Sequence, residues 1–122
     1  MEDIKVGEKI RCNDGLIGEL IRIERDDIDT SLKWYVFDDG KNERYVNKPY
    51  ITKHSFNLID LLEVGDYVNG RLVLAVDYNK QNICLLIPLT DTKANTNIMW
   101  YGYEDIKTIY TKEQLKSIEY NV

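Results

Sequence analysis

Short runs of alternating apolar and polar residues, separated by turns that contain glycine, run along the chain and predict β-strands. Residues 20–24 alternate as a strand with one buried face does. Asn13-Asp14-Gly15 and Asn69-Gly70 follow short strand-like runs, and these residue types tolerate the positive φ angles of tight hairpin turns. Residues 83–87 form a continuous apolar run, which predicts a strand covered on both faces. The pattern therefore predicts a mainly β fold.

Three blocks of sequence recur in the same order and indicate an internal duplication. The matched pairs are Val6-Gly7-Glu8 with Val64-Gly65-Asp66, residues 34–39 with residues 100–105, and Ile51-Thr52-Lys53 with Tyr110-Thr111-Lys112. The middle pair shares a rare Trp-Tyr dipeptide, but the distance along the chain between its two members is longer than in the outer two pairs. The second copy therefore needs an insertion before its tryptophan, and the first copy a compensating one after it.

Each copy is predicted to continue with two more strands and to end in a short helix. The tryptophan blocks predict the third strand, and residues 43–51 or 106–110 predict the fourth. A threonine then follows in each copy, and Thr111 and Gln114 have the spacing of a helix capping box. A hairpin, two more strands and a final helical turn describe a small SH3-like barrel.

The predicted architecture is a tandem pair of small SH3-like barrels, residues 1–60 and 61–122, with short C-terminal helices. A unit of this size buries only about 60% of its unfolded surface and is marginally stable alone. The linker Leu58-Ile59-Asp60-Leu61-Leu62 is apolar rather than rich in glycine and serine. We therefore expect it to pack between the copies, so that the two barrels form one unit.

Composition and charge exclude several classes of protein. The 122 residues carry 16 basic and 21 acidic side chains, a net charge of −5, which argues against broad attraction to nucleic acid or an anionic membrane. No apolar run approaches the roughly 20 residues that cross a bilayer, and Met1-Glu2-Asp3 predicts no signal peptide. Cys12 and Cys84 are too few for a disulfide framework and are expected to be buried thiols in a reducing cytoplasm.

No motif predicts catalysis, a cofactor or a metal. His54 is the single histidine, and the adjacent Ser55 lies in no nucleophile-elbow pattern. Gly15 and Gly18 lack the Lys-Ser/Thr that completes a phosphate-binding loop. The adjacent carboxylates of residues 26–27, 38–39 and 104–105 would face opposite sides of a strand, which disfavours glycosidase or metal chemistry and favours turn or solvated edge positions. The sequence therefore predicts a protein that is not an enzyme.

Aromatic residues favour a binding role, because tyrosine and tryptophan dominate protein interfaces and aromatics make up 11% of the chain. Neighbouring strand residues face opposite sides, so one residue of each Trp-Tyr pair should face the core. We expect the tryptophan inside and the tyrosine outside. The polar loop of residues 90–97 occurs only in the second copy and is either a recognition loop or an idle hairpin tip. The candidate binding residues are Trp34, Tyr35, Asp38, Asp39, Lys93, Asn95, Trp100, Tyr101, Glu104 and Asp105.

Two stretches of the chain resemble a group of small proteins encoded by phages and prophages of Gram-positive bacteria. The first is Lys53-His54-Ser55 with Ile59-Asp60-Leu61-Leu62-Glu63-Val64-Gly65-Asp66-Tyr67-Val68-Asn69-Gly70, and the second is residues 104–114 with Tyr120-Asn121-Val122. The resemblance covers about half of the chain and carries no catalytic or binding residues. It implies that a small acidic protein of this kind acts by binding a host factor, such as a CRISPR nuclease or another defence protein.

The leading hypothesis is a phage-encoded, non-catalytic binding protein that inhibits a component of bacterial immunity in the host cytoplasm by protein–protein interaction. One alternative is a sponge that sequesters a small nucleotide signal by aromatic stacking. Another is a nucleic-acid-binding module, which the acidic balance disfavours although Lys41, Arg44, Lys48 and Lys53 form a local basic stretch. A structural part of the virion is the fourth possibility.

Overall fold

The computed structural model describes residues 3–86 and 98–117 of the chain. The chain divides into two compact units, Met1–Leu61 and Leu62–Val122, a division one residue from the predicted boundary. Every strand pair of the described residues is antiparallel, which agrees with the predicted mainly β fold. Within the same residues, no helix is long and apolar enough to cross a bilayer.

Unit 1 is a five-stranded sheet in which the fifth strand returns to pair with the first. Its strands are β1 (Lys9–Cys12), β2 (Ile17–Arg25), β3 (Lys33–Asp38), β4 (Glu43–Val46) and β5 (Ile51–Ser55), in the spatial order β4-β3-β2-β1-β5. A 3₁₀ turn, Lys48–Tyr50, joins β4 to β5. The core cluster gathers one side of each of these strands, with Ile10, Leu20 and Phe37 almost fully buried. Arg11 of β1 and Val36 of β3, which alternate with the cluster residues, are fully buried as well, so these two strands exceed the single buried face that an alternating pattern predicts.

Unit 2 repeats the same strand order. Its strands are β6 (Tyr67–Val68), β7 (Arg71–Asp77), β8 (Asn82–Leu86), β9 (Ile98–Gly102) and β10 (Ile109–Tyr110), in the order β10-β6-β7-β8-β9, followed by α1 (Lys112–Ser117). Again the fifth strand pairs with the first, and a 3₁₀ turn, Tyr103–Asp105, lies between the fourth and the fifth. The repeated strand order supports the duplication inferred from the sequence.

The glycine of the first repeated block makes the same hydrogen bond in both units. Gly7 donates its N–H to the Leu20 carbonyl at 2.8 Å, and Gly65 donates to the Val73 carbonyl at 3.1 Å. Their φ angles are +96° and +101°, a region that side-chain-bearing residues rarely adopt. The turn that leads into the first strand of each unit therefore depends on glycine.

The acidic residue after each glycine closes that turn with its own side chain. Glu8 Oε2 accepts the Lys5 backbone N–H at 2.6 Å, and Asp66 Oδ2 accepts the Glu63 backbone N–H at 2.8 Å. Both acidic side chains also reach the C-terminal part of their unit. Glu8 Oε1 lies 3.0 Å from His54 Nδ1, and Asp66 Oδ1 accepts the Lys112 backbone N–H at 3.0 Å. The first block therefore fixes both ends of each unit.

The predicted match between the two tryptophan blocks is wrong. Trp34 lies in β3, the third strand of unit 1, whereas Trp100 lies in β9, the fourth strand of unit 2. Strand register shows that Trp100, paired with Cys84, takes the place that Tyr45, paired with Val36, holds in unit 1. Equivalence in a sheet is set by strand pairing, and a shared Trp-Tyr dipeptide does not override it. The insertion of the second copy lies in the connection between β8 and β9.

The sequence match of the third repeated block also differs from the match that strand pairing gives. Lys9 pairs with Ser55 in unit 1, and Tyr67 pairs with Tyr110 in unit 2, so Tyr110 corresponds to Ser55 and not to Ile51. Only the second copy therefore has a threonine in the predicted capping position. There the capping box is confirmed, because Gln114 Oε1 accepts the Thr111 N–H at 3.0 Å and Thr111 Oγ1 accepts the Gln114 N–H at 3.4 Å.

The strand predicted over residues 43–51 is two strands with a turn between them. Pro49 has no N–H to offer a sheet, and the chain forms the 3₁₀ turn Lys48–Tyr50 instead, closed by the Tyr50 N–H on the Asn47 carbonyl at 3.0 Å. In unit 2 the strand predicted over 106–110 is limited to Ile109–Tyr110. Residues 83–85 of the third strand are buried, as the continuous apolar run predicts, whereas Leu86 is 42% exposed and Ile87 lies outside the described residues.

The apolar linker contributes to the core of unit 1. Leu58–Leu61 form a 3₁₀ turn that contacts β1 and β5, and Ile59 and Leu61 are fully buried. The buried guanidinium of Arg11 donates from Nη1 to the Leu61 carbonyl at 3.0 Å. Packing within unit 1 thus accounts for the apolar character of these linker residues, and the expected contact of the linker with a second barrel stays a prediction.

Replacing either repeated glycine with alanine should destabilise the chain. Gly7→Ala and Gly65→Ala each force a Cβ into a positive-φ position, which costs about 1–2 kcal/mol of unfolding free energy. Gly102→Ala is the matched control, because Gly102 has a φ of −92° and open space around its Cβ position. Urea unfolding followed by circular dichroism measures all three. Equal stability of the three variants would contradict the role given to the turn.

Candidate binding groove

The two Trp-Tyr pairs face the opposite way from the prediction. Tyr35 is only 6% exposed and belongs to the core cluster of unit 1, while Trp34 is half-buried on the other face. Tyr35 shares its face with Phe37, two residues along the strand, and Phe37 fills the centre of that core. In unit 2 Trp100 is 50% exposed, and Tyr101 is half-buried, with its hydroxyl accepting a hydrogen bond from Arg71 Nη1 at 3.0 Å. Both tryptophans therefore lie outside the core.

Trp34 orders the loop that follows β2. Its indole Nε1–H donates to Asp26 Oδ2 at 2.9 Å, and its ring meets Tyr45 edge-on with centroids 6.4 Å apart. Asp26 Oδ1 accepts the backbone N–H groups of Ile28 and Asp29. These hydrogen bonds lower the pKa of the Asp26 carboxyl, and the bond from the Trp34 indole has the largest effect. The polar contacts of Trp34 thus stabilise its own hairpin.

Asp38 and Asp39 shape the turn between β3 and β4. Asp38 Oδ1 accepts the Gly40 N–H at 2.8 Å. Asp39 Oδ1 accepts backbone N–H groups of residues 41 and 42, and Asp39 Oδ2 accepts Arg44 Nε at 2.9 Å. Those donors, chiefly the Asn42 N–H, lower the pKa of Asp39 to about 2. The turn positions that the sequence favours account for both carboxylates.

Two of the remaining candidate residues lie in unit 2, and two lie outside the described residues. Glu104 and Asp105 are exposed on the 3₁₀ turn of unit 2, where Asp105 Oδ2 accepts the Gly102 N–H at 3.4 Å. Lys93 and Asn95, with the whole loop of residues 90–97, lie outside the described residues. Asp38, Asp39 and Asp105 therefore each take part in a local turn of their own unit.

Unit 1 contains a groove that the sequence prediction did not find. It has a volume of about 340 Å³ and lies between the β1–β2 turn, the strand β4 and the 3₁₀ turn before β5. We call it the tyrosine groove, after its two exposed tyrosines. The lining residues are Cys12, Asn13, Asp14, Leu16, Phe37, Arg44, Tyr45, Val46 and Tyr50.

Hydrogen bonds hold the walls of the tyrosine groove in place. The Asn13 N–H donates to the Tyr50 carbonyl at 2.8 Å and so ties the hairpin turn to the 3₁₀ turn. Within the hairpin, the Cys12 N–H donates to the Leu16 carbonyl at 2.9 Å, and Asp14 Oδ1 accepts the Leu16 N–H at 3.1 Å. A groove with bonded walls needs little ordering when a ligand binds, which lowers the entropic cost of binding.

The floor of the groove is apolar and its rim is aromatic and charged. Phe37 and Cys12 are buried beneath it, while Tyr45 and Tyr50 are 53% and 52% exposed. The Tyr45 hydroxyl lies 3.2 Å from Arg22 Nη2, a donor that positions this ring. An apolar floor with a few polar groups at the rim is typical of sites that bind small ligands or single side chains.

The Cys12 thiol in the floor is chemically quiet. Burial, with a smaller contribution from the negative charge of Asp14, raises the pKa of Cys12 to about 12. The thiolate is the nucleophilic form of cysteine, so at neutral pH this residue behaves as a small apolar group. The charge of Asp14 nevertheless acts on the floor of the groove.

Unit 2 differs from unit 1 at each wall of the groove. Its first hairpin closes through Asn69-Gly70, both with positive φ, and so has no counterpart of the longer Asn13–Leu16 turn. The strand register and the 3₁₀ turns place Met99, Trp100 and Asp105 where unit 1 has Arg44, Tyr45 and Tyr50. The two units therefore share their strand order but differ in the residues at the positions of the groove.

Comparison of the chain with protein-family models, with curated proteins and with solved structures gave no match. The role of the groove is therefore inferred from the residues that line it. Two sequence features could have indicated the groove. Pro49 predicts a break in the fourth strand next to Tyr50, and the two hairpins of the repeat differ in length.

Cys12 should resist alkylation in the folded protein. Its raised pKa leaves almost no thiolate at neutral or mildly alkaline pH, so iodoacetamide should modify Cys12 only after unfolding in urea. Peptide mass spectrometry after timed labelling measures this for Cys12 separately from Cys84. Rapid modification of Cys12 under native conditions would contradict its assigned environment.

Asp39 should contribute stability that is lost in acid. Its pKa is lower in the folded chain than the ordinary 3.8, so its contribution is present above about pH 4 and disappears as the pH falls toward 2. Wild type should therefore exceed Asp39→Asn in unfolding free energy at neutral pH, and the difference should shrink between pH 4 and pH 2. Urea unfolding across this range tests it, and a difference independent of pH would refute it.

Proposed function

We propose that the chain is a non-catalytic binding protein that holds a segment of a protein partner in the tyrosine groove of unit 1. The observation that carries the proposal is the groove itself: a fixed apolar floor between two half-exposed tyrosines. Tyrosine provides large contact area with little side-chain entropy to lose, which is why it dominates protein-binding sites. Hydrogen-bonded walls supply the preorganisation that such binding needs.

We further propose that each unit is an SH3-like barrel, as the sequence pattern predicts. The strand order, with the fifth strand returning to the first, and the 3₁₀ turn between the fourth and fifth strands support this in both units. Fold alone does not assign a function, so the binding role rests on the groove.

The charges of the groove favour a protein ligand over a nucleotide. Arg44 is the cationic residue of its lining, and Arg44 Nε donates to Asp39 Oδ2 at 2.9 Å. Asp14 adds a negative charge on the opposite wall. Phosphate groups are bound by unpaired cations or converging N–H donors, and a carboxylate at the rim repels them. These charges support a peptide as the occupant.

The side chains considered for chemistry also support a binding role. Burial keeps the Cys12 thiol protonated. His54 Nδ1 lies 3.0 Å from Glu8 Oε1, in the contact that ties β5 to the turn before β1. The narrower hypothesis, that the partner is a component of bacterial immunity, rests on the resemblance to phage-encoded proteins and stays a prediction.

Selection of peptides on the immobilised chain tests the groove. Random 12-residue peptides displayed on phage should be enriched on the wild type, and the selected peptides should lose at least tenfold in affinity for Tyr50→Ala, because a central aromatic contact is removed. The matched control is Tyr103→Ala, which removes a tyrosine of similar exposure (56%) from the corresponding 3₁₀ turn of unit 2. It should bind as the wild type does.

Two results would overturn the proposed function. One is the absence of any enriched peptide on a chain that circular dichroism shows to be folded. The other is an equal loss of binding in Tyr50→Ala and Tyr103→Ala, which would locate binding elsewhere or show a general loss of structure.

A further inference from the structure

The hairpin wall of the tyrosine groove brings a carboxylate next to an apolar floor. Asp14 is exposed at the rim, while Cys12 and Phe37 are buried below it. The negative charge of Asp14 contributes to the raised pKa of Cys12, so its field reaches the floor of the groove. An anionic group above an apolar slot complements a side chain that is apolar along its length and cationic at its tip.

The cation on the opposite wall of the groove is held by an ion pair within unit 1. Arg44 is the other charged residue of the lining, and its Nε atom donates to the Asp39 carboxylate. The Asp39 carboxylate offsets part of the positive charge of Arg44, whose side chain is 51% exposed. Asp14 is the carboxylate of the lining that a cationic group of a ligand can meet.

The size of the groove limits what it can hold. Its volume of about 340 Å³ is at the lower end of the roughly 300–1,000 Å³ range of small-ligand sites. It therefore accommodates one or two side chains of a peptide. Tyr45 and Tyr50 at the rim add aromatic rings, which attract ammonium and guanidinium groups.

We propose that the tyrosine groove selects a lysine or arginine side chain of the bound segment, with the aliphatic stem over the Phe37–Cys12 floor and the cationic head at Asp14. This inference rests on the proposed function, because it names the chemistry of the segment that the groove binds. The preference comes from unit 1 residues that unit 2 does not share, since the unit 2 hairpin closes through Asn69-Gly70.

Asp14→Asn is the variant that isolates the charge. Asp14 Oδ1 accepts the Leu16 N–H, and an asparagine side chain has an oxygen that can accept the same bond, so the hairpin keeps its shape. The matched control is Asp27→Asn, which removes one negative charge from the exposed β2–β3 loop outside the groove. The two variants have the same net charge.

The test uses the peptides selected on the wild-type chain. They should share a lysine or arginine, and replacing that residue with norleucine should weaken binding to the wild type about tenfold. Asp14→Asn should weaken binding of the cationic peptide by a similar factor, and Asp27→Asn by less than about twofold. Asp14→Asn should no longer distinguish lysine from norleucine, which a double-mutant cycle by fluorescence polarisation measures.

The outcomes separate this inference from the proposed function. Selected peptides that depend on Tyr50 but share no basic residue would overturn the inference and leave the function standing. Equal effects of Asp14→Asn and Asp27→Asn would also overturn it, because they would show only the influence of net charge. If no peptide is selected, the proposed function fails and the inference fails with it.

Discussion

The turn that leads into the first strand is the constraint on which each unit depends. A glycine with positive φ donates its N–H to the carbonyl of the second strand, and the acidic residue after it accepts a backbone N–H from the start of the turn. The same acidic side chain reaches the C-terminal part of the unit, through His54 in unit 1 and through the Lys112 N–H in unit 2. First and last segments are thereby held together, as the pairing of the fifth strand with the first requires.

The tyrosine groove lies where this shared framework leaves the chain free to vary. Hairpin tips and 3₁₀ turns contribute few core side chains, so their length and residues can change without cost to the sheet. Unit 1 has the longer hairpin and Tyr50 there, and unit 2 has a two-residue turn and Asp105. The Asn13–Tyr50 backbone hydrogen bond joins the two turns that form the groove.

The burial of tryptophan and tyrosine is the reverse of what the sequence predicted, because the position of a residue along the strand, and not its type, determines whether it faces the core. Tyr35 lies on the face of Phe37, and the alternation of the strand turns Trp34 outward, where its indole N–H binds Asp26. Trp100 is similarly exposed, on the fourth strand of unit 2. The dipeptide that suggested equivalence therefore marks two different strands.

The mainly β class, the hairpin turns at Asn13-Asp14-Gly15 and Asn69-Gly70, the duplication of the first block and the capping box at Thr111 follow from the sequence alone. These features depend on neighbours in the chain, whose spacing is visible in the sequence. Strand pairing in the folded chain shows which later strands correspond, and the fold places Asn13, Tyr45 and Tyr50 around one groove. Strand register and the docking of one turn on another are set by hydrogen bonds between residues distant in the chain, and local patterns do not encode those partners.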